Sequence, residues 1–319
     1  MRVPISALTD KAIINSTYLV KSKAIQVAKN GKPYLNITLM DKSGEIGARV
    51  WDDAEALGSQ FDRGDVVSVM GHANVYQGKL QLILQDLTKA MVGEVDPKDF
   101  LPVSKRDIDE MFGELTSYVQ GLKNPNLKKL AENIFSNVSI TEKYKKAPAA
   151  TGVHHVYIGG LLQHVLSLCA LVDAITPLYK TLNRDLLMSA CFYHDIGKIF
   201  ELSYDVNFEY SDEGKLIGHI TQGALFIENE IKKIEGFPGN LRNALLHMIL
   251  SHHGEYAFGS PKRPKFLEAI VFHFLDNLDS KIEGVLSFIE KEKSNKGWTS
   301  HHKIYDRYFF TGPLGVGLE

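Results

Sequence analysis

The sequence is poor in cysteine and has no long apolar run. Its two cysteines, Cys169 and Cys191, both fall within apolar helical stretches. Two such residues do not make a disulfide framework, so we interpret both as buried free thiols. No charged segment followed by an apolar core opens the chain, and no apolar run reaches the roughly 20 residues that span a membrane. We therefore expect a cytoplasmic protein without a membrane partner.

The chain also lacks an excess of charge of either sign. Its 36 Lys and Arg residues face 38 Asp and Glu residues, for a formal net charge of -2. This balance argues against a protein that holds nucleic acid through bulk basicity, so any such binding must use local patches. The 44% hydrophobic and 23% charged residues are ordinary for a globular protein, and 319 residues suffice for two domains.

The second half of the sequence contains an ordered series of metal-ligand residue types. The series is His164, His194-Asp195, His219, His252-His253 and Asp276. Neutral imidazoles bind divalent transition metals, and a carboxylate can bridge two of them. A lone histidine is more often an ordinary core or surface residue. Here, however, three predicted helices each deliver polar side chains from an apolar face. The series predicts a metal-dependent hydrolase.

The residues around these positions resemble a known superfamily. His164, the segment Tyr193-His194-Asp195-Ile196-Gly197-Lys198 and Asp276 resemble the H…HD…D signature of the HD metal-dependent phosphohydrolases, which have an all-helical fold. The longer strings are similar to those of YhaM-type 3′-to-5′ exoribonucleases: HHVYIGGLLQHVLSL, HDIGKIFEL, GHITQGA, SHHGEYAFGSPKRPKFLEA and LDNLDSK. In that family an OB-fold precedes the HD domain. The resemblance covers nearly the whole chain.

The resemblance implies two divalent ions, Mn or alternatively Fe, Co or Ni. His219 and His252-His253 fall where binuclear members carry ligands for a second ion. One ion would then be held by His164, His194, Asp195 and Asp276, and the other by Asp195, His219, His252 and His253. Asp195 would bridge the two ions, an arrangement suited to phosphodiester hydrolysis.

Three further residues near the predicted centre could contact the substrate. Lys198 follows His194-Asp195 by one helical turn and is predicted as a catalytic contact to a phosphate oxygen. The alternative is that Lys198 stabilises the charge at a helix C-terminus. We assign His154 and His155 as substrate contacts or outer-shell groups.

Residues from about 13 to 90 have a different pattern. Apolar and polar residues alternate in the segments 17–28, 34–41, 45–51, 65–73 and 79–87, which are separated by turn sequences such as Asn30-Gly31 and Gln77-Gly78. Five such strands predict a small OB-type barrel. The predicted organisation is an OB domain over 1–92, a linker over 93–105 and a helical HD domain over 106–319, with its metal core within about 154–290.

The alternation also predicts a nucleic-acid-binding face. Tyr34, Arg49 and Trp51 fall on the outward side of their strands and together offer stacking surfaces and a cation. The alternative is that Trp51 packs under a helix over 53–57 and Arg49 is merely solvated, since such barrels also bind proteins. Lys262 and Arg263 follow the His252-His253 pair and are predicted to line the path of an anionic strand.

In the helical region, Ser104 is the expected N-cap of the first helix, and a second helix is expected over 126–137.

The function we expect is removal of nucleotides from the 3′ end of single-stranded RNA, with DNA as an open second substrate. One alternative is an HD phosphodiesterase or nucleotidase acting on a small cyclic or free nucleotide. Another is a single-strand-binding protein with a structural metal. Self-association into a homo-oligomer stays open.

Overall fold

The computed structural model describes residues 2–28, 30–90, 100–150, 157–203, 209–292 and 297–313. Strands occupy the first part of the chain and helices dominate the rest, which confirms the predicted order of a barrel followed by a helical domain. Within the described residues, no helix is both long and apolar enough to cross a membrane. His154 and His155 lie outside the described residues.

The first domain is a closed barrel of five strands. The strands are β1 (Ile13–Val27), β2 (Pro33–Asp41), β3 (Gly44–Val50), β4 (Val66–Tyr76) and β5 (Lys79–Lys89). Around the barrel they follow the order β1, β2, β3, β5, β4, with β3 and β5 parallel and the other neighbours antiparallel. A short helix, α1 (Ala54–Gly58), connects β3 to β4. This architecture is the predicted OB-type barrel.

Alternating side chains fill the barrel, as the sequence predicted. In β2, Leu35, Ile37 and Leu39 are at most 1% exposed because they face the interior. The inward residues of β3 are Ile46, Ala48 and Val50. The residues between these positions therefore point away from the core, and they form the outer face of the β2–β3 pair.

The second domain is built from helices. They are α2 (Ile108–Gln120), α3 (Pro125–Phe135), α4 (Val138–Lys146), α5 (Gly160–Ile175), α6 (Arg184–Tyr193), α7 (Lys198–Glu201), α8 (Asp212–Ile217), α9 (His219–Lys232), α10 (Gly239–Ser251) and α11 (Leu267–Glu292). A small hairpin, β6 (Leu202–Ser203) with β7 (Glu209–Tyr210), lies between α7 and α8.

Side-chain caps determine where several of these helices begin. The carboxylate of Asp107 accepts hydrogen bonds from the amides of Asp109 and Glu110, both at 2.9 Å, and so caps α2. The prediction of Ser104 as this cap was wrong, because α2 begins only at Ile108; the Ser104 hydroxyl instead accepts from the amide of Arg106 at 3.0 Å and donates to Gln163 at 2.8 Å. The helix predicted over 126–137 ends at Phe135, since Asn137 caps α4.

The helices α5 and α6 lie at the centre of the helical core. Every residue of α6 from 185 to 193 is buried, and α5 contributes buried Leu161, Val165 and Leu168. Cys169 and Cys191 are buried free thiols, as predicted. This placement carries the imidazoles of His164 and His194 into an apolar interior, where polar groups need partners.

The start of the helical part is anchored to the barrel. Phe100 and Leu101 are each 1% exposed and form a small apolar cluster with Leu19 and Val66 of the barrel and with Ile158. The end of the predicted linker is therefore packed rather than solvated, and it connects the barrel to the segment that leads into α5.

Candidate metal centre

Five segments of the helical domain bring the predicted ligands together. His164 lies on α5, His194 and Asp195 directly follow α6, and His219 begins α9. His252 and His253 follow α10, and Asp276 lies on α11. Because these elements pack around α5 and α6, residues spread over more than a hundred positions of sequence meet at one point.

The first group of ligands comprises His164, His194, Asp195 and Asp276. The Nε2 atom of His164 lies 3.2 Å from Nε2 of His194 and 3.1 Å from Oδ1 of Asp276. Nε2 of His194 lies 3.2 Å from Oδ2 of Asp195. Ligand atoms that each sit about 2.0–2.2 Å from one ion are separated by roughly 3 Å. His164, His194 and Asp195 each offer a ligand atom within 4.8 Å of the others, which is the spacing of a single metal site, and Asp276 lies beside the two imidazoles of this group.

The second group surrounds the other oxygen of Asp195. Its Oδ1 atom lies 3.4 Å from Nε2 of His219 and 3.6 Å from Nε2 of His252. His219, His252 and His253 each offer a ligand nitrogen within 4.8 Å of the others. Asp195 thus directs one carboxylate oxygen to each group, which is the geometry required of a bridging ligand.

The outer ring nitrogens of the histidines are held by hydrogen bonds. The Nδ1 atom of His164 lies 2.6 Å from Asp279, and that of His219 lies 3.1 Å from Glu201. Backbone carbonyls accept from the Nδ1 atoms of the remaining three: Cys191 for His194 at 3.2 Å, Ile249 for His252 at 2.8 Å and Phe258 for His253 at 2.9 Å. A proton on Nδ1 leaves the Nε2 lone pair directed at the centre, as in metal-binding histidines.

Three atoms of the centre are buried without a hydrogen bond to any described residue. They are Oδ1 of Asp195, Nε2 of His219 and Nε2 of His252. An unsatisfied buried polar atom costs about 1–3 kcal/mol, so three together need a partner. A divalent cation satisfies all three at once, and the residues present therefore fit a metal centre.

The electrostatics of the centre also suit cations. Burial lowers the pKa of His252 and of His253, which keeps both imidazoles neutral and able to bind metal. Burial alone also lowers the pKa of His164, but hydrogen bonds to Asp276 and Asp279 outweigh it and raise the pKa to about 9. Carboxylates that draw a proton to this imidazole equally draw a metal ion.

Lys198 is paired with the bridging carboxylate. Its Nζ lies 2.6 Å from Oδ2 of Asp195 and also donates to the carbonyl of Ala149. Burial raises the pKa of Asp195, but the charge of Lys198, followed by the neighbouring imidazoles, holds it well below the usual range. Lys198 is the first residue of α7, with its ammonium turned to Asp195.

The outer face of the barrel brings the other predicted group together. The rings of Tyr34 and Trp51 stack with centroids 4.7 Å apart and an interplanar angle of 28°. The guanidinium of Arg49 lies 5.6 Å from the Tyr34 ring and donates a hydrogen bond to Asn36. Trp51 is 45% exposed, so α1 does not cover it. Tyr34 and Arg49 are half-buried and Trp51 is exposed, and we call the surface formed by these three side chains the barrel platform.

Two protein-family models match the chain. The OB-fold nucleic acid binding domain matches residues 19–90, and the HD domain matches residues 161–281. The 3'-5' exoribonuclease YhaM of Geobacillus sp. (strain WCH70) is 36% identical over 296 residues, which are 92% of this chain and 90% of that protein. The chain belongs to the YhaM 3'-5' exoribonuclease family.

A second YhaM relative, the 3'-5' exoribonuclease of Bacillus subtilis (strain 168), is 34% identical over 93% of this chain and 94% of its own length. Among solved structures, the second OB-fold domain of replication protein A from Methanococcus maripaludis covers 30% of this chain and 98% of its own. Its sequence identity is 18% and its TM-score is 0.24. The family membership therefore rests on the YhaM relatives.

In this YhaM-family chain, three residues at the centre escaped the sequence reasoning. Asp279 and Glu201 anchor the outer nitrogens of His164 and His219, and Nδ1 of His273 donates to the carbonyl of His252 at 2.8 Å. Asp279 and His273 each lie three positions from Asp276 on α11. That spacing places His273, Asp276 and Asp279 near one face of α11. It is the sequence signal by which His273 and Asp279 could have been found.

An open pocket of about 250 Å³ adjoins the centre. Four candidate ligands, Asp195, His252, His253 and Asp276, form part of its wall. The remaining lining residues are Lys198, Phe258, His273, Asn277 and Ser280. A metal centre that opens onto a pocket can receive a substrate, whereas structural metal sites are closed.

The predicted cations Lys262 and Arg263 lie on the exposed segment between α10 and α11. The guanidinium of Arg263 pairs with Glu255 at 3.0 Å, where both side chains are about half exposed. The amide of Lys262 donates to the carbonyl of Leu250, which fixes its backbone near the end of α10. Neither residue is among the described residues that line the pocket.

Proposed function

We propose that this chain is a metal-dependent exonuclease that removes nucleotides from the 3′ end of single-stranded RNA. The observation that carries the proposal is the position of Asp195. One oxygen of its carboxylate faces the His164 and His194 imidazoles, and the other faces those of His219 and His252. Full-length similarity to two relatives named 3'-5' exoribonuclease YhaM supports the same reaction.

The cofactors we propose are two divalent ions per chain, with manganese first and iron, cobalt or nickel as alternatives. Imidazole and carboxylate ligands suit these metals. His164, His194, Asp195 and Asp276 would hold one ion, and Asp195, His219, His252 and His253 the other. When bound, such ions polarise a phosphodiester and lower the pKa of a water molecule.

The residues of the chain orient these ligands and the substrate. Asp279 and Glu201 fix the rings of His164 and His219, so that Nε2 of each points inward. Lys198 lies on the pocket wall with its ammonium against Asp195, so a phosphate bound in the pocket would lie beside this charge. We assign to Lys198 the neutralisation of phosphate charge, and to His154 and His155 substrate contacts inferred from the sequence alone.

The barrel is proposed to hold the unpaired strand. Tyr34 and Trp51 already stack on each other, so a base would add to the free face of the pair, beside the cation of Arg49. Stacking requires unpaired bases and tolerates any sequence, and it also admits single-stranded DNA. Lys262 and Arg263 would then contact phosphates between the barrel platform and the pocket. We propose that the strand-binding barrel domain spans 1–92 and that the hydrolytic helical domain spans 106–319, with a linker over 93–105.

Self-association is the further partner that we propose, through α11. Six apolar side chains on this helix are between 42% and 63% exposed: Leu267, Ile270, Phe274, Leu278, Ile282 and Leu286. A large side chain has an area of about 200 Å², and about half of each is exposed, so the six together offer on the order of 600 Å² of apolar surface. Each partner in a stable dimer buries roughly 800 Å². Light scattering should give a mass above 35.7 kDa that falls towards it in Phe274→Glu.

The test of the proposed function is the product pattern from end-labelled single-stranded RNA. With Mn²⁺, RNA labelled at the 5′ end should shorten to a ladder, whereas RNA labelled at the 3′ end should release a labelled mononucleotide at once. Chelator should stop both. A duplexed 3′ end should resist. Rapid hydrolysis of small cyclic nucleotides with intact RNA would favour the small-nucleotide phosphodiesterase instead.

A further inference from the structure

Phe258 is an exposed aromatic residue at the wall of the pocket beside the metal centre. It lies in a 3-10 turn, Tyr256–Phe258, between α10 and α11. The residue is 66% exposed, yet it lines the same pocket as Asp195 and His253. A large aromatic ring that faces water at the wall of a candidate reaction centre offers a planar apolar surface on which a ligand can stack.

The turn that carries Phe258 is tied directly to a metal-ligand candidate. The carbonyl of Phe258 accepts a hydrogen bond from Nδ1 of His253 at 2.9 Å, and its amide donates to the carbonyl of Glu255 at 3.0 Å. Just after the turn, the buried hydroxyl of Ser260 donates to the carbonyls of Leu250 and Lys262. The backbone of the turn that carries the ring is therefore held beside His253.

The chemistry of the pocket indicates what covers the ring. Hydrolysis requires the scissile phosphate at the metal centre. Because Phe258 lines the pocket beside that centre, a nucleotide attached to this phosphate can reach the Phe258 ring. Asn277 and Ser280 on the same wall can hydrogen-bond to a ribose. The part of the strand on the 5′ side of the scissile phosphate must continue out to the solvent. On its other side there is only the 3′-terminal nucleotide, which can occupy the pocket.

We propose that Phe258 stacks on the base of the 3′-terminal nucleotide and so positions its phosphodiester at the metal centre. This inference rests on the proposed function and adds a base-binding subsite to it. An aromatic face binds every base, because each base has a π surface. An enzyme that removes successive nucleotides of any identity needs such a sequence-tolerant contact.

Tyr256 is a matched control on the same turn. It is 65% exposed, nearly the same as Phe258, but it is not among the described residues that line the pocket. Replacing either ring by alanine removes a similar exposed apolar area, and neither substitution creates a cavity in the core. Only the Phe258 change should affect the terminal base.

The experiment measures kcat/KM of the full chain with Mn²⁺ on two 5′-labelled single-stranded RNA oligomers. One is intact, and the other is identical except that its 3′-terminal nucleotide lacks a base. Phe258→Ala should lower kcat/KM on the intact oligomer by roughly 5- to 150-fold. On the oligomer without the terminal base it should change little, because no stacking is left to lose. Phe258→Trp should restore the wild-type value, and Tyr256→Ala should match wild type on both substrates.

Three outcomes would overturn the inference. One is an equal loss on both oligomers in Phe258→Ala, and another is an equal loss in Tyr256→Ala. Bound metal per chain should be the same in all variants, and a loss of metal in Phe258→Ala would also overturn it, by showing a role in holding His253. If wild-type protein leaves the intact oligomer uncut, the proposed function itself fails.

Discussion

Gly197 should be indispensable for the second group of ligands, because it lets α9 approach the His194-Asp195 segment. Its backbone has φ of -60°, which any residue adopts, so the requirement is one of space. A Cβ at this position would lie 1.9 Å from the carbonyl oxygen of His219 and 2.8 Å from the amide nitrogen of Gly223. Both contacts are backbone atoms of α9, so no flexible side chain can yield.

The magnitude follows from these distances. For Gly197→Ala to fit, α9 must retreat by about 1.5 Å to restore an ordinary contact. Metal-ligand distances tolerate only about 0.2 Å, so His219 would lose its place opposite Asp195. A displacement of this size should lower turnover on RNA by about 100-fold. Overpacking costs about 1–3 kcal/mol, which corresponds to a fall in Tm of roughly 2–12 °C for a helical domain of this size.

The assay combines Tm, bound metal per chain after gel filtration, and RNA turnover. Gly113→Ala on α2 is the control, because a Cβ there meets no atom within 4 Å. It should leave metal and turnover unchanged and raise stability by at most about 0.5–1 kcal/mol. If Gly197→Ala kept wild-type metal content and turnover, the claimed contact between α9 and the bridging carboxylate would be refuted.

Three further variants probe separate parts of the account. Asp279→Asn should weaken metal binding or activity about 10- to 100-fold, because His164 loses the carboxylate 2.6 Å from its Nδ1; an unchanged metal affinity would contradict this role. Lys198→Ala should lower RNA turnover by a larger factor than it lowers bound metal; a fall in Tm is also expected, because the ammonium pairs with the buried Asp195, and unchanged turnover would contradict the phosphate role. Trp51→Ala should weaken the binding of long single-stranded RNA by roughly 5-fold or more, with metal content and barrel folding by circular dichroism unaffected. Equal RNA affinity in this variant would favour a protein-binding role for the barrel.

Much of the fold could be predicted because its patterns are periodic. The alternation of Leu35, Ile37 and Leu39 in β2 fixed both a strand and its inward face. The ligands on α5 and α11 could be predicted in the same way, since His164 and Asp276 interrupt apolar helical faces. The cap of α2 was mispredicted because Ser104 and Asp107 are both good cap residues. Only the three-dimensional contact with Gln163 shows how the Ser104 hydroxyl is used.

The residues that orient the ligands could not be predicted from local patterns. Asp279 contacts His164 across 115 positions of sequence, and Glu201 contacts His219 across 18. Such pairings depend on how helices pack against one another, and no periodicity records them. Phe258 was missed for another reason. Its turn is too short to show a period, and its importance comes from the pocket it lines.

The most direct test of the account is the metal content of Asp195→Asn compared with its activity. The substitution keeps the size of the side chain but leaves only one oxygen and no charge for the two groups of imidazoles. After gel filtration in Mn²⁺, wild-type protein should retain two ions per chain and shorten single-stranded RNA from its 3′ end. Asp195→Asn should lose most of both ions and all detectable hydrolysis. A variant that kept two ions and near wild-type turnover would contradict the bridging role of Asp195, on which the proposed function rests.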